Sequence, residues 1–131
     1  MERTDPAELV ELVTRLGIWL DEKRFDEART IFTEDATADT LGGTVHGVDA
    51  LAAQAHRSHP DDVATQHFIT NPRIEVDGDR AAIDANLLVV FAAPTGQRIL
   101  GERYRLQATR TAGEWRISQV AARPIWEFSP A

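Results

Sequence analysis

The sequence of 131 residues contains no cysteine. Disulfides, thiolate metal centres and cysteine nucleophiles are therefore excluded. Lys23 is the only lysine and Tyr104 the only tyrosine. The net charge is −7 and the basic residues form no run. That pattern lacks the footprint that neutralises nucleic-acid phosphates, so no nucleic-acid partner is expected. The longest apolar stretch, Ala85 to Pro94, is far shorter than the roughly 20 residues a spanning helix needs. The opening MERTDPAEL lacks the basic-then-apolar order of a secretion signal. No membrane association and a cytoplasmic location are the resulting expectations. There is no HExxH or other metal-ligand spacing, no GxSxG elbow and no glycine-rich phosphate loop. No metal and no cofactor are expected.

What is present is ordinary globular composition, 43% apolar and 27% charged, at a length that suits one domain over residues 1–131. The first half is helical in pattern and the second half strand-rich, which points to an α+β fold. Asp5 can cap a first helix, with Pro6 at its first position and Glu8 able to close a capping box. Leu9, Leu12, Val13, Leu16, Trp19 and Leu20 then recur as one helical stripe. Shorter helices are expected over Phe25 to Phe32 and Val48 to Arg57, with a short strand near Ala36 to Thr40 between them. Strands are expected over His67 to Val76, Ala81 to Ala93, Ile99 to Arg110 and Glu114 to Ala122. Asp77-Gly78 marks a tight hairpin between the first two. Long antiparallel strands twist and curl. The stripe of the first helix would be buried on the concave side, leaving a pocket at the open end.

Two residues are candidates for chemistry. Asp21 stands at the C-terminal end of the first helix, at the margin of its apolar stripe. A carboxylate there opposes the helix dipole and needs a cation or a donor, unless the helix frays and leaves it in water. His67 shares one strand face with Thr65, Ile69 and Asn71, while Gln66, Phe68 and Thr70 share the other. Both faces are mixed, so parity leaves open which one is inside. The pattern by itself favours a hydrogen-bonded core or surface histidine; a histidine that lines the pocket is the natural general base. His46, His56 and His59 read as surface residues. Asn86 interrupts an apolar strand and should find partners in the core or in a ligand. Trp19, Phe32, Tyr104 and Trp126 are first of all core aromatics, some of which can form a cavity wall.

Three segments together resemble the NTF2-like superfamily and, within it, the SnoaL-like branch. They are Trp19 to Asp26 followed by Ile31 to Ala36; His67-Phe68-Ile69-Thr70-Asn71-Pro72 followed by Val76 to Ala81; and Tyr104 followed by Arg110 to Ile117. The resemblance implies a cone, a curved antiparallel sheet wrapped around N-terminal helices. Locally the chain is similar to the scytalone dehydratases, through Asp21 and Gln66-His67-Phe68-Ile69, and to the hexachlorocyclohexane dehydrochlorinases, through Asp21 and His67. The likeness implies that His67 removes a proton while Asp21 holds and charges it. It extends the pocket to Trp19, Asn86 and Leu88. Leu20 and Thr40 stand where the dehydratases carry pocket tyrosines, so scytalone is not the expected substrate. The implied function is a cofactor-free dehydratase, isomerase or cyclase acting on a small, mostly apolar molecule. The alternative is a non-catalytic binding or assembly module on the same fold. A homodimer is implied, with a trimer as the other possibility.

Overall fold

The computed structural model describes residues 5–130. Residues 1–4 and 131, part of the domain expected from the sequence, lie outside the described residues. Helix α1 (Asp5–Asp21) buries Leu9, Leu12, Val13, Leu16, Trp19 and Leu20, the stripe that its spacing predicts. Each fully buried leucine here contributes about 1.5–3 kcal/mol relative to exposure. Asp5 does begin the helix. Its carboxylate accepts from Arg110 Nη1 and from Trp115 Nε1, tying the helix start to the far end of the sheet. A 3-10 helix follows (Phe25–Thr30) and stops short of the expected Phe32, which instead opens strand β1 (Phe32–Thr40). Strand β2 (Gly43–His46), which the sequence pattern does not predict, pairs antiparallel with β1. Helix α2 (Val48–Ser58) falls as expected.

Four long strands complete the chain: β3 (Ala64–Asp77), β4 (Arg80–Ala93), β5 (Gly96–Thr111) and β6 (Glu114–Phe128). The sheet order is β2-β1-β6-β5-β4-β3. The expectation of a wholly antiparallel sheet needs one correction, because β1 and β6 pair in parallel. A parallel pair requires a long connection, and all of β2 to β5 supplies it.

The sheet is curved and unclosed, and its irregularities say where it bends. Register shifts fall between Thr70 and Arg73 in β3, and at Gly101/Glu102 and Gln107/Ala108 in β5. Asn71 sits at the first of these with a left-handed φ of 56°. Such bulges kink a strand and increase its twist. Inside the curve, strict alternation sorts the side chains. Ala81, Ile83, Ala85, Leu87 and Val89 of β4 are buried, as are Leu100, Glu102, Tyr104, Leu106 and Ala108 of β5. α1 lies against β3 and β6 on this concave side. A methyl added at Gly17 would come within ordinary contact, 3.5 Å, of Ile69 Cδ1, so helix and strand approach closely there. The buried apolar side chains form one cluster. Among the described residues no helix is long and apolar enough to cross a membrane.

Candidate active site

The concave face is not completely filled by α1. At the open end a cavity of about 450 Å³ remains, with Leu16, Trp19, Phe32, Leu87 and Val89 among its apolar walls. Its polar lining is sparse and includes His59, His67, Glu102 and Tyr104. Volume and lining suit a small, mostly apolar ligand held by a few polar groups.

Asp21 and His67 meet at the cavity margin. His67 Nδ1 lies 2.6 Å from Asp21 Oδ1. Thr65 Oγ1 donates to the same oxygen at 3.0 Å, and the His67 backbone N–H donates to Oδ2 at 2.8 Å. These three donors answer the electrostatic problem of a carboxylate at a helix C-terminus. Burial pushes the Asp21 carboxyl up. The hydrogen bonds from the His67 ring and backbone, the His67 charge and the Thr65 hydroxyl outweigh it, so the carboxyl is held below the usual range. A carboxylate only accepts, so His67 carries a proton on Nδ1. In the neutral ring Nε2 is then the basic nitrogen. It has no hydrogen-bond partner among the described residues, and the His67 side chain, only 4% exposed, lines the cavity.

His59 departs from the expected surface position. It is 9% exposed, and its ring lies 5.2 Å from that of His67 and 6.0 Å from Phe91. Its Nδ1 is 2.8 Å from the carbonyl oxygen of Ala55, and Lys23 Nζ donates to its own carbonyl. Burial pushes its pKa down to about 4, so the ring is neutral at physiological pH. A helix-terminal histidine before proline looks solvated in sequence, and the packing of Phe25 and Phe91 around it is what buries it.

Trp19, Phe32 and Tyr104 line the cavity as expected. Trp19 packs edge-on against Phe25 and Phe32, and its buried indole N–H has no partner among the described residues. Asn86, Leu88 and Trp126 do not line it. All three point to the opposite, convex face, because β4 parity alternates with the inward Leu87 and because the bulge at Gly101/Glu102 turns Trp126 outward. Asn86 accepts there from Arg103. Trp126 lies flat against Gly101, where a Cβ would collide with its indole.

Glu102 is a cavity residue that no sequence motif marks. It is 7% exposed, lines the cavity and makes no hydrogen bond or ion pair among the described residues. Burial pushes its carboxyl up, against the opposing pull of His67 and Arg98. The signal was available in the period-two row Leu100, Glu102, Tyr104, Leu106, which places a carboxyl on an otherwise apolar face. Among the described residues, no three His, Asp or Glu side chains cluster as a metal site.

A helix laid in a curved, open sheet, with an apolar cavity and an aspartate-held histidine at its mouth, defines a cone of the NTF2-like kind. Residues 1–121 match the family model for the SnoaL-like domain, and the chain belongs to that family. Among solved structures it is similar to the Kfla4162 protein from Kribbella flavida, at 27% identity and TM-score 0.87, covering 95% of this chain and 93% of that one. It is also similar to hexachlorocyclohexane dehydrochlorinase LinA-type3 from Novosphingobium barchaimii, at 20% identity and TM-score 0.85, covering 96% and 90%. A scytalone dehydratase-like protein from Novosphingobium aromaticivorans follows at 17% identity and TM-score 0.86, covering 97% and 88%. The last two share the fold at an identity too low to carry activity across. No match is found among curated proteins.

Proposed function

We propose that the protein is a cofactor-free acid–base enzyme of the lyase or isomerase type, acting on a small, mostly apolar molecule in the cone cavity. One observation carries the reading. His67 Nδ1 is held by Asp21 at 2.6 Å, while Nε2, in the cavity lining, has no partner among the described residues. His67 removes a proton from substrate carbon through Nε2 and can return it as an acid. Asp21 fixes the tautomer and stabilises the imidazolium, as the third group of a catalytic triad does. Acid–base catalysis of this kind contributes roughly 10²–10⁴-fold. The similarity to a dehydrochlorinase and to a dehydratase-like protein supports proton abstraction as the shared step. Asn86, on the convex face, is not available to an oxyanion, and the Tyr104 hydroxyl, without a partner among the described residues, takes that role.

The test is a screen of small hydroxylated and chlorinated hydrocarbons in deuterated water, read by mass spectrometry for loss of water, loss of HCl or gain of deuterium. Activity should disappear in His67→Ala and fall steeply in Asp21→Ala. Equal turnover by the native protein and both variants would sink the proposal.

The homodimer belongs to the same proposal. Cross-strand register aligns Phe68, Leu88, Gly101 and Trp126 in one row on the convex face, and Val90, Ile99 and Phe128 in the next. Phe68, Trp126 and Phe128 are each about half exposed, and a contiguous apolar strip of this kind is suited to a second copy.

A further inference from the structure

Polar groups of the cavity lining that lack protein partners among the described residues include the Nε2 atom of His67, the Glu102 carboxyl and the Tyr104 hydroxyl. Their spacing follows from the sheet. His67 is in register with Val89, and Val89 with Leu100, so Glu102 lies two strands away and one inward-facing position further along. Strand spacing and rise put the two Cα atoms about 12 Å apart on a flat sheet, and closer on a concave one. A histidine and a glutamate reaching inward from those positions leave room for one small molecule between them. Tyr104 is the next inward residue after Glu102, about 7 Å along β5.

Resting on the base assigned to His67 above, we propose that Glu102 is the general acid of the site and that the substrate is an apolar β-hydroxy carbonyl compound, which the protein dehydrates. Tyr104 donates its hydroxyl proton in a hydrogen bond to the carbonyl oxygen, which acidifies the adjacent C–H. Nε2 of His67 takes that proton, and the C–H electron pair becomes the new C=C bond. The C–O bond at the β-carbon breaks with its electron pair going to oxygen, which takes the Glu102 proton and leaves as water. The site is left with a His67 imidazolium and a Glu102 carboxylate, its total charge unchanged. Proton transfer from one to the other through water restores it. Hydroxide is a poor leaving group, so a proton donor facing the base is what an elimination of water needs and an elimination of halide does not. Burial, which raises the Glu102 carboxyl, favours the protonated form required.

The experiment compares two ketones with one carbon skeleton. The first is 4-hydroxy-4-phenylbutan-2-one, which must lose hydroxide. The second is its 4-(4-nitrophenoxy) analogue, whose leaving group departs without protonation. Both give the same conjugated enone, followed by its ultraviolet absorption. Glu102→Gln is nearly isosteric and keeps a hydrogen-bond donor but cannot give a proton. It should slow the alcohol roughly 10²–10⁴-fold and the aryl ether by no more than a few-fold. Glu102→Asp, with a shorter arm, should recover part of the rate on the alcohol only. Thermal unfolding of each variant separates misfolding from loss of the acid. Equal slowing of both compounds in a folded Glu102→Gln protein overturns the acid assignment while leaving the base intact. Native protein inactive on both overturns the substrate class. His67→Ala with native rates on both overturns the base beneath it.

Discussion

Protonation of His59 should be a principal acid weakness of this fold, and its size can be worked out. Its folded-state pKa is pushed from 6.5 down to about 4 by burial. The unfolded chain therefore binds more protons through that window, and stability falls as pH drops from about 6.5 towards 4. A difference of about 2.5 units is worth at most about 3.4 kcal/mol, and about 2.5 kcal/mol is already lost at pH 4.5. Two neighbours also titrate. Asp21, held below the usual range, keeps its contribution until pH falls below about 4, beneath most of the window. Glu102, pushed up, acts with the opposite sign, because its folded form binds the extra proton and loses stability as pH rises. A direct comparison removes its influence. Urea unfolding of native protein and His59→Gln should be run side by side from pH 7 to 4.5. The variant starts less stable by a constant amount, since the contact with Ala55 is altered. Over the acid range the native protein should lose about 2.5 kcal/mol more than the variant. Parallel curves would refute the assignment of a buried, neutral His59.

Four further outcomes can be checked. Asp21→Asn should disturb the His67 tautomer, so that long-range proton–nitrogen NMR finds Nε2 protonated in a large share of molecules, with turnover lowered by about 10⁴ as in a triad; an unchanged Nδ1–H spectrum would count against Asp21 as the orienting group. Gly17→Ala should raise stability by about 0.5–1 kcal/mol in thermal unfolding, because the helix gains propensity and the added methyl meets Ile69 only at ordinary contact. Trp126→Arg should convert a dimer to a monomer in sedimentation; dimers that persist would place the interface elsewhere. Gly101→Ala should expel the Trp126 indole from its seat, seen as a red shift and a loss of protection in tryptophan fluorescence.

Much of this architecture is legible in the sequence. The α1 stripe from Leu9 to Leu20 and the Asp77-Gly78 hairpin are local patterns, and local patterns survive folding. The face of His67 was not legible, because β3 carries mixed residues on both sides and the choice is made by Asp21, far away in sequence. The family likeness implies a pocket position for Asn86 and Leu88, and Trp126 reads as a core aromatic, whereas strand parity and one bulge send all three outward. His59 depends on rings brought from the 3-10 helix and β4. Glu102 could have been found by alternation alone, since Leu100, Tyr104 and Leu106 declare its face. The site was thus readable where a single element determines it and hidden where two distant elements meet.

The parallel seam between β1 and β6 has a consequence for how the chain assembles. β3 to β6 are joined by hairpins, whose closure involves short loops. Phe32 meets Ile117 only after nearly the whole chain has been drawn together, a closure whose entropic cost grows with loop length and slows its formation. The meander should therefore form first and the β1–β2 flap close over it last. Phe32 and Ala38, carried by that flap, are part of the cavity wall. A last-formed seam is also the first to breathe, so amides of β1 should exchange with solvent faster than those of β4 and β5. Opening of this wall, a second way into the cavity besides its mouth, would then be the reverse of the final folding step.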